Sequence, residues 1–492
     1  MARSIYFALC VIALSVQVTA LNISGYGTIK SVKRFQHKTV PLSAALTTPD
    51  GSGTYHISPP LNGVVPYVAI VATNKSSALD EFYGEQRLSY VGTSLMGSPE
   101  NNFTIGIFDT GASTSLFGYT KAQAIGLHNH LTDSLIDLTG AGGTVTGTIS
   151  LPAGIFVTGI DRVNATGTTL DTSTLVGQSN VAVIVGPDEE SLRDNVPTAI
   201  GVPMGVMYTT EIKQSNMITV TKDSFEYTSP EIVFHDNGAI SIPEYPITIP
   251  TIYRPRGIAA VAFIQTIGGD YELVPSAPSI IIGNSAQSLM FIHSVDLSNG
   301  SRSAIDQNEF MFDTGAQVTV ISKAIAARLG LKPEDATGTV EIHDASGSST
   351  WVPLFTIDSI TIPAFGATLS YTNIEVVLLD IASPEGGQLQ GIIGTNLFTD
   401  FDMLVIGGGF DPSSTPTLKL KPIVSPPIVG DFSNDGKVDK DDLLFFSGAW
   451  LSSSTNPTWQ AICNLSSVGT SANKINLLDW GVFVSHWLDG TD

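Results

Sequence analysis

Cysteine is nearly absent from this chain of 492 residues: there are two, and Cys10 lies inside an N-terminal apolar stretch, which leaves Cys463 alone afterwards. No disulfide can form within the remainder, so its stability has to come from an apolar core. Charge is scarce as well, at 14% of residues, with 23 Lys and Arg against 45 Asp and Glu and a net charge of −22. That balance repels phosphate backbones and anionic lipid, so no nucleic-acid partner is expected, and calcium ions or cationic surfaces suit it better. The eight histidines are scattered without a His-x-x-x-His or Cys/His pairing, His128 and His130 read as loop residues, and no zinc site is expected. Gly407-Gly408-Gly409 lacks the Lys-Ser/Thr of a phosphate loop. The long apolar run from Ile5 to Val16 follows Arg3 and ends near Val18-Thr19-Ala20, a small-residue pattern of the kind a signal peptidase reads. It is shorter than the roughly 17–25 residues that span a bilayer. Residues 1–20 therefore read as a signal peptide, with no membrane insertion after its removal and a secreted, extracellular or cell-surface product.

What the chain has in abundance is β punctuation. Hydrophobic residues make up 42%, which excludes global disorder. From about residue 60 to 424, short β-branched and apolar runs such as Ile280-Ile281-Ile282 alternate with Gly, Pro, Asn, Asp and Ser clusters. Brief helical patterns interrupt this, as at Lys323 to Leu329. Pro422, Pro426 and Pro427 then bracket a stiff connector, and a small helical unit follows from Gly430.

An internal repeat organises the β region. FDTGASTSLFGYTKAQAIGL at 108–127 aligns without a gap to FDTGAQVTVISKAIAARLGL at 312–331. Further on, VAVIVGPD at 181–188 matches IEVVLLD at 374–380, and AIGVPMGV at 199–206 matches IIGTNLFT at 392–399. In each copy an Asp (Asp109, Asp313) ends an apolar strand and enters a tight loop. Gly111 and Gly315 let the backbone turn where a side chain would clash, and Thr110 and Thr314 are placed to hydrogen-bond between copies. A single Asp-Thr-Gly is an ordinary turn; two in equal register with matched downstream elements predict a composite site on a pseudo-two-fold axis. Two carboxylates brought together there cannot both ionise easily, so one keeps a proton where the other has lost it, and the pair supplies a base and an acid at once.

From about 100 to 406 these residues resemble the aspartic proteases, of pepsin or retropepsin type, with both halves nearer retropepsin repeats. Three elements recur in order: the Phe-Asp-Thr-Gly-Ala loop, a Gly-rich segment, and an apolar-apolar-Gly element. The resemblance implies flap hairpins that bind substrate at Gly140, Gly142 and Gly143 in one copy and at Ser346 and Gly347 in the other. It implies that Ala199-Ile200-Gly201 and Ile392-Ile393-Gly394 pass behind the Asp loops and support them. It also implies hydrolysis of a polypeptide substrate by water activated between Asp109 and Asp313, with neither metal nor covalent intermediate. No tyrosine occurs in the first Gly-rich segment and pepsin-like disulfides are missing, which leaves pH optimum and subsite preference open. The alternative reading is a catalytically inactive peptide- or surface-binding protein of the same fold.

Toward the C-terminus, Asp431, Ser433, Asp435, Asp439 and Asp442 fall at positions 1, 3, 5, 9 and 12 of a loop, with Gly436 at 6 and the Lys437 carbonyl at 7, the spacing that encircles calcium. Asp442 replaces the Glu of a true EF-hand. A second copy ends at Asp479 before Trp480 to Leu488, with Trp450 and Trp487 at matching places; counting back puts Val468 at position 1 and Ala472 at position 5, unless Asn464 serves in a longer loop. Residues 430–488 look like a dockerin-type module, which implies one calcium site, a doubtful second one, and a cohesin-like or cell-surface scaffold as partner. Calcium is expected only there.

Lys30, Lys33, Arg34 and Lys38 form a basic cluster with two readings, a solvated strand or a prosegment whose cations neutralise the Asp pair. Asn22, Asn74, Asn102, Asn164, Asn299 and Asn464 open Asn-x-Ser/Thr triplets, relevant only in a glycosylating host. The expected architecture is mainly β: a signal peptide at 1–20, an N-terminal lobe at 21–240 and a C-terminal lobe at 241–424 in a bilobal acid-protease fold, a Pro-rich linker at 425–429, and a small α-helical dockerin-like domain at 430–492.

Overall fold

The computed structural model describes residues 53–74, 92–137, 145–151, 153–178, 181–202, 204–205, 208–236, 244–254, 289–343, 347, 349–382, 388–407, 415–423, 429–430, 432, 438–458, 460, 463–466 and 474–488. It gives the backbone alone at 21–22, 29–34, 88–89, 138–139, 144, 179–180, 203, 260–265 and 271–276. The signal-peptide segment, most of the linker and residues 140–143 and 346 lie outside the described residues.

The chain is mainly β. Runs such as Thr104–Phe108, buried at every position, read as continuous apolar text because both faces of the sheet are covered. Strands with one wetter face alternate instead, as Gly338–His343 does. Among the described residues the strands form two large sheets, of 11 and 16 strands, with the short Ala260–Gln265 and Tyr271–Ser276 hairpin apart from both.

The same six-strand sequence of neighbours runs through both large sheets. In the first it is Thr144–Ser150, Ile184–Val185, Leu116–Phe117, Ala199–Ile200, Thr104–Phe108 and Tyr67–Thr73. In the second it is Ser349–Pro363, Thr368–Leu378, Val320–Ile321, Gly391–Ile393, Phe310–Phe312 and Leu289–Ile292. The registers correspond as well: Ile200 lies beside Phe108 and Ile393 beside Phe312, both in parallel pairs. Each Asp loop is thus held between an incoming strand and a crossing strand from its own copy.

The chain does not divide into lobes as cleanly as the repeat. Thr54–Ile57 runs parallel to Thr368–Tyr371, and Ile29–Arg34 pairs antiparallel with Gly338–His343, so these early strands sit on the second sheet. The long hairpin Tyr208–Lys222 and Phe225–Asp236 joins that sheet too, through Thr209 to Ile212 beside Ile406 to Met403. One apolar cluster accordingly runs through both copies, from Val68 and Phe108 to Phe312, Phe398 and Phe401.

Beyond the sheets, the helices Lys440–Ala449 and Leu477–Ser485 close on a separate core of Phe432, Val438, Phe446, Cys463, Ile475 and Phe483. Both begin with a capping box, Asp439 with Asp442 and Asn476 with Asp479. The helices start and end two to three residues earlier than the apolar pattern suggests, because the acidic capping residues, not the first apolar ones, set the first turn. No described helix is long and apolar enough to cross a membrane.

Candidate active site

Asp109 and Asp313 sit at matched points, each following a buried Phe and each wholly buried. Within its own copy each loop is fixed identically. Gly111 N–H donates to Asp109 Oδ1 and Gly315 N–H to Asp313 Oδ1, both at 2.8 Å. The Asp109 and Asp313 amides donate to the carbonyls of Ile200 and Ile393, at 2.9 and 3.1 Å.

Between copies the threonines interlock. Thr110 N–H donates to Thr314 Oγ1 and Thr314 N–H to Thr110 Oγ1, each at 3.0 Å across 204 residues of sequence. The hydroxyls then pass their own protons across the axis, Thr110 Oγ1 to the Phe312 carbonyl at 2.9 Å and Thr314 Oγ1 to the Phe108 carbonyl at 2.6 Å. Four buried hydrogen bonds thus tie the two loops together through the residues on either side of each Asp.

The two carboxyl groups meet as a consequence. A Cβ added to Gly315 would lie 2.6 Å from Asp109 Cγ and 2.8 Å from both of its oxygens, so the Asp109 carboxyl rests directly on the opposing loop. Burial above all, then the charge of Asp313 and a hydrogen bond shared with it, push the Asp109 carboxyl well above the ordinary carboxylate range, against the pull of the Gly111 and Ala112 amides. The arrangement holds one proton between two carboxyls at a pH where a solvated pair would hold none, which is what a combined acid and base requires.

Gly201 and Gly394 pass behind the loops where no side chain fits: added Cβ atoms would meet the Ala112 and Thr114 carbonyls at 2.5 Å, and the Val318 carbonyl at 2.4 Å. Val202 and Thr395 amides donate to the Ala112 and Ala316 carbonyls at 2.8 Å, clamping both crossings alike. Sequence reasoning passed over a further layer. Ser115 Oγ accepts from Gly201 N–H at 3.2 Å, and its repeat counterpart Thr319 donates to Asn396 Oδ1 at 2.9 Å. Gln317 and Gly63 exchange two hydrogen bonds, Gly63 N–H to the Gln317 carbonyl and Gln317 Nε2 to the Gly63 carbonyl, seating the crossing chain beside the second loop. The shared register of Ser115 and Thr319 was the only signal available.

Of the expected flap residues, Gly140, Gly142, Gly143 and Ser346 lie outside the described residues. Their hairpin strands are present: Leu131–Thr139 with Thr144–Ser150, and Gly338–His343 with Ser349–Pro363. Gly347 has a left-handed φ of +77° and packs on the first lobe, where an added Cβ would stand 3.0 Å from Asn195 C and Val196 N. The tip of the second hairpin therefore reaches across to the first copy.

In the C-terminal unit, Asp431, Ser433, Asp435 and Lys437 lie outside the described residues. Asp439 caps its helix, and the wholly buried Asp442 turns inward, accepting from Phe432 N–H at 2.8 Å and Asp439 N–H at 2.9 Å. Asp479 repeats this, accepting from the Ser466 and Asn476 amides at 2.8 Å. Ser466 N–H thus meets an Asp 13 residues on, where Phe432 N–H meets one 10 residues on, so the second loop is longer than the first. No group of three or more His, Cys, Asp or Glu side chains able to hold a metal occurs among the described residues. The first loop's donors, read from the sequence, are nonetheless all oxygen, a set that suits a hard cation.

A model of the aspartyl protease family matches residues 298–397, which span Asp313, the second hairpin and Gly394. The match supports an aspartyl protease, a hydrolase, at this coarse level. No curated protein matches the chain.

Proposed function

We propose that the protein is an exported aspartic endopeptidase of the pepsin and retropepsin type, with Asp109 and Asp313 as its dyad and a calcium-dependent docking module at its C-terminus. The observation that carries the reading is the reciprocal anchoring of two buried, proton-sharing carboxyls on duplicated loops. The ionised carboxylate takes a proton from a water held between the pair, and the resulting hydroxide attacks the scissile carbonyl carbon. The protonated carboxyl gives its proton to the carbonyl oxygen, which forms a tetrahedral diol. Collapse of the diol breaks the C–N bond as the proton first taken from water passes to the leaving amine, and the remaining hydroxyl proton returns to the pair. Hairpins with glycine-rich tips of this kind suit an extended peptide bound by strand addition.

In the docking module, Asp431, Ser433, Asp435, Asp439, Asp442 and the Lys437 carbonyl would hold calcium, which orders the loop ahead of the first helix. A cohesin-like or cell-surface scaffold is the partner this module suits. The exposed apolar side chains of Leu444, Leu451 and Leu477 give such a partner its surface.

The test is cleavage of an unfolded protein across pH 3 to 7. Wild type should cleave with a two-limbed pH profile, and Asp109→Asn and Asp313→Asn should each lose about 100- to 10,000-fold. An inert wild type, or full activity in either Asn variant, refutes the reading.

A further inference from the structure

Each Asp of the dyad follows a phenylalanine, and both phenylalanine rings meet a second ring in nearly the same geometry. Phe312 lies edge-on to Phe398, with centroids 5.6 Å apart and planes at 79°, and Phe108 lies edge-on to Phe234, at 5.7 Å and 77°. The two partners come from different places. Phe398 ends the short turn Thr395–Phe398 of the second copy, whereas the repeat puts Gly205 at the matching place in the first. An added Cβ at Gly205 would lie 3.4 Å from Phe108 Cζ, so the first copy brings only backbone to that ring, and Phe234 supplies the aromatic edge. Phe234 sits on the long hairpin Tyr208–Lys222 and Phe225–Asp236, which follows these matched elements in the chain. Tyr208 on the facing strand meets it at 5.8 Å and is itself fixed by its hydroxyl, which donates to the Gly177 carbonyl at 2.9 Å.

The same hairpin reaches the other ring pair. Its ladder shifts register between Lys213 and Met217, and the residues in that break turn to the second copy. Gln214, 8% exposed, donates from Nε2 to the Phe398 carbonyl at 3.0 Å. Ser215 gives its N–H and its hydroxyl to the two carboxylate oxygens of Asp402, each at 2.8 Å. Phe398 in turn backs Phe312, whose carbonyl takes the Thr110 hydroxyl and whose next residue is Asp313. One hairpin thus stands behind both aspartates, through a ring at Asp109 and through an amide on Phe398 at Asp313. Close-packed interiors transmit small displacements along such contacts rather than absorbing them.

We propose that Phe234 and Gln214 are positioning residues, through which this hairpin aligns the two Asp loops with each other. The proposal rests on the aspartic protease reading of the site and deepens it: the carboxyls are set not only by the duplicated loops but by an element that neither repeat contains.

Three variants of the full chain test it. Gln214→Leu removes the amide donor and Phe234→Leu removes the ring edge. Ser215→Ala is the control: it takes one bond from the same break in the ladder, keeps the Ser215 amide on Asp402 and leaves Gln214 in place. Each is compared with wild type by thermal melting, by kcat and KM on an unfolded protein, and by hydrogen exchange at the two Asp loops. Gln214→Leu and Phe234→Leu should each lose about 10- to 100-fold in kcat with KM within about twofold of wild type. Ser215→Ala should lower the melting temperature and keep kcat. Exchange should rise most at residues 313–315 in Gln214→Leu and most at residues 109–111 in Phe234→Leu. Wild-type kcat in either leucine variant overturns the proposal. An equal kcat loss in Ser215→Ala overturns it too, because lost stability alone then explains the effect. If the wild type itself cleaves nothing, the protease reading falls and exchange decides the alignment: the loop-specific pattern supports it, and exchange that is unchanged or equal at both loops overturns it.

Discussion

Thr314→Val tests whether the interlocked threonines hold the site. Valine nearly matches threonine in volume, so the change opens no cavity, but it removes both hydrogen bonds of Thr314 Oγ1. The Thr110 amide and the Phe108 carbonyl are left without those partners at residues 3% and 1% exposed, where water does not replace them. Each unsatisfied buried group costs about 1–3 kcal/mol, or about 2–6 kcal/mol for the two. The added methyl returns only about 0.8 kcal/mol, so the loss wins. Both orphaned groups flank Asp109, and a displacement of about 1 Å at a reacting carboxyl is enough for a 100-fold loss of rate. Thermal unfolding and kcat/KM on an unfolded protein substrate therefore fall together in Thr314→Val, whereas Thr314→Ser keeps the hydroxyl and stays near wild type. A valine variant with unchanged melting and rate refutes the argument. So does a serine variant as damaged as the valine one, because the bonds would then not be what matters.

Gly315→Ala places a Cβ 2.6 Å from Asp109 Cγ, so the carboxyl has to turn away: kcat is expected to drop about 100-fold with little change in melting, and an active variant refutes the close approach. Glu211 is held down to about 2 by hydrogen bonding from His235, then Tyr245, and by the Lys213 charge, against the opposing effect of its burial. A depressed carboxyl contributes stability that is present above its ordinary value of 4.5 and is lost as pH falls through about 2. Glu211→Gln should accordingly lower the melting temperature at pH 6 and converge with wild type near pH 2; a gap that widens in acid has the wrong sign. Calorimetry should find a single calcium per chain, abolished by Asp431→Ala, because the second copy lacks the acidic spacing of the first; two equal sites would overturn that reading.

That the two carboxyls meet was readable because duplication wrote the loop twice. Phe-Asp-Thr-Gly-Ala recurs with Thr at the one position where a hydroxyl can both accept and donate across an axis, and Gly201 and Gly394 mark crossings that a side chain would block. Ser115, Thr319 and Asn396 were not readable, because hydroxyl and amide side chains are common in turns and only the fold tells which one meets a buried amide. The pairing of Thr54–Ile57 with Thr368–Tyr371 left no trace either. Parallel partners so far apart in sequence carry no local periodicity that binds one to the other. In the second C-terminal loop, counting back twelve positions from Asp479 does not carry over, because the amide that meets Asp479 lies 13 residues before it where that of the first loop lies 10 before Asp442.

The hydrogen bonds that hold each Asp loop are split between the copies, and this bears on why neither Asp loop makes sense alone. Its own copy supplies the glycine amide to one carboxyl oxygen and the crossing strand behind it. The other copy supplies the threonine that fixes the loop backbone. A lone buried carboxyl without that anchoring would carry the full cost of desolvation and relax outward or stay protonated. Meeting its twin converts this cost into a shared proton that neither loop can shed to solvent. The proton that such chemistry moves is thus a property of the interface between repeats. Changes at that interface, even ones that leave both aspartates in place, should shift the alkaline limb of the pH profile, where the shared proton is lost, before they unfold either lobe.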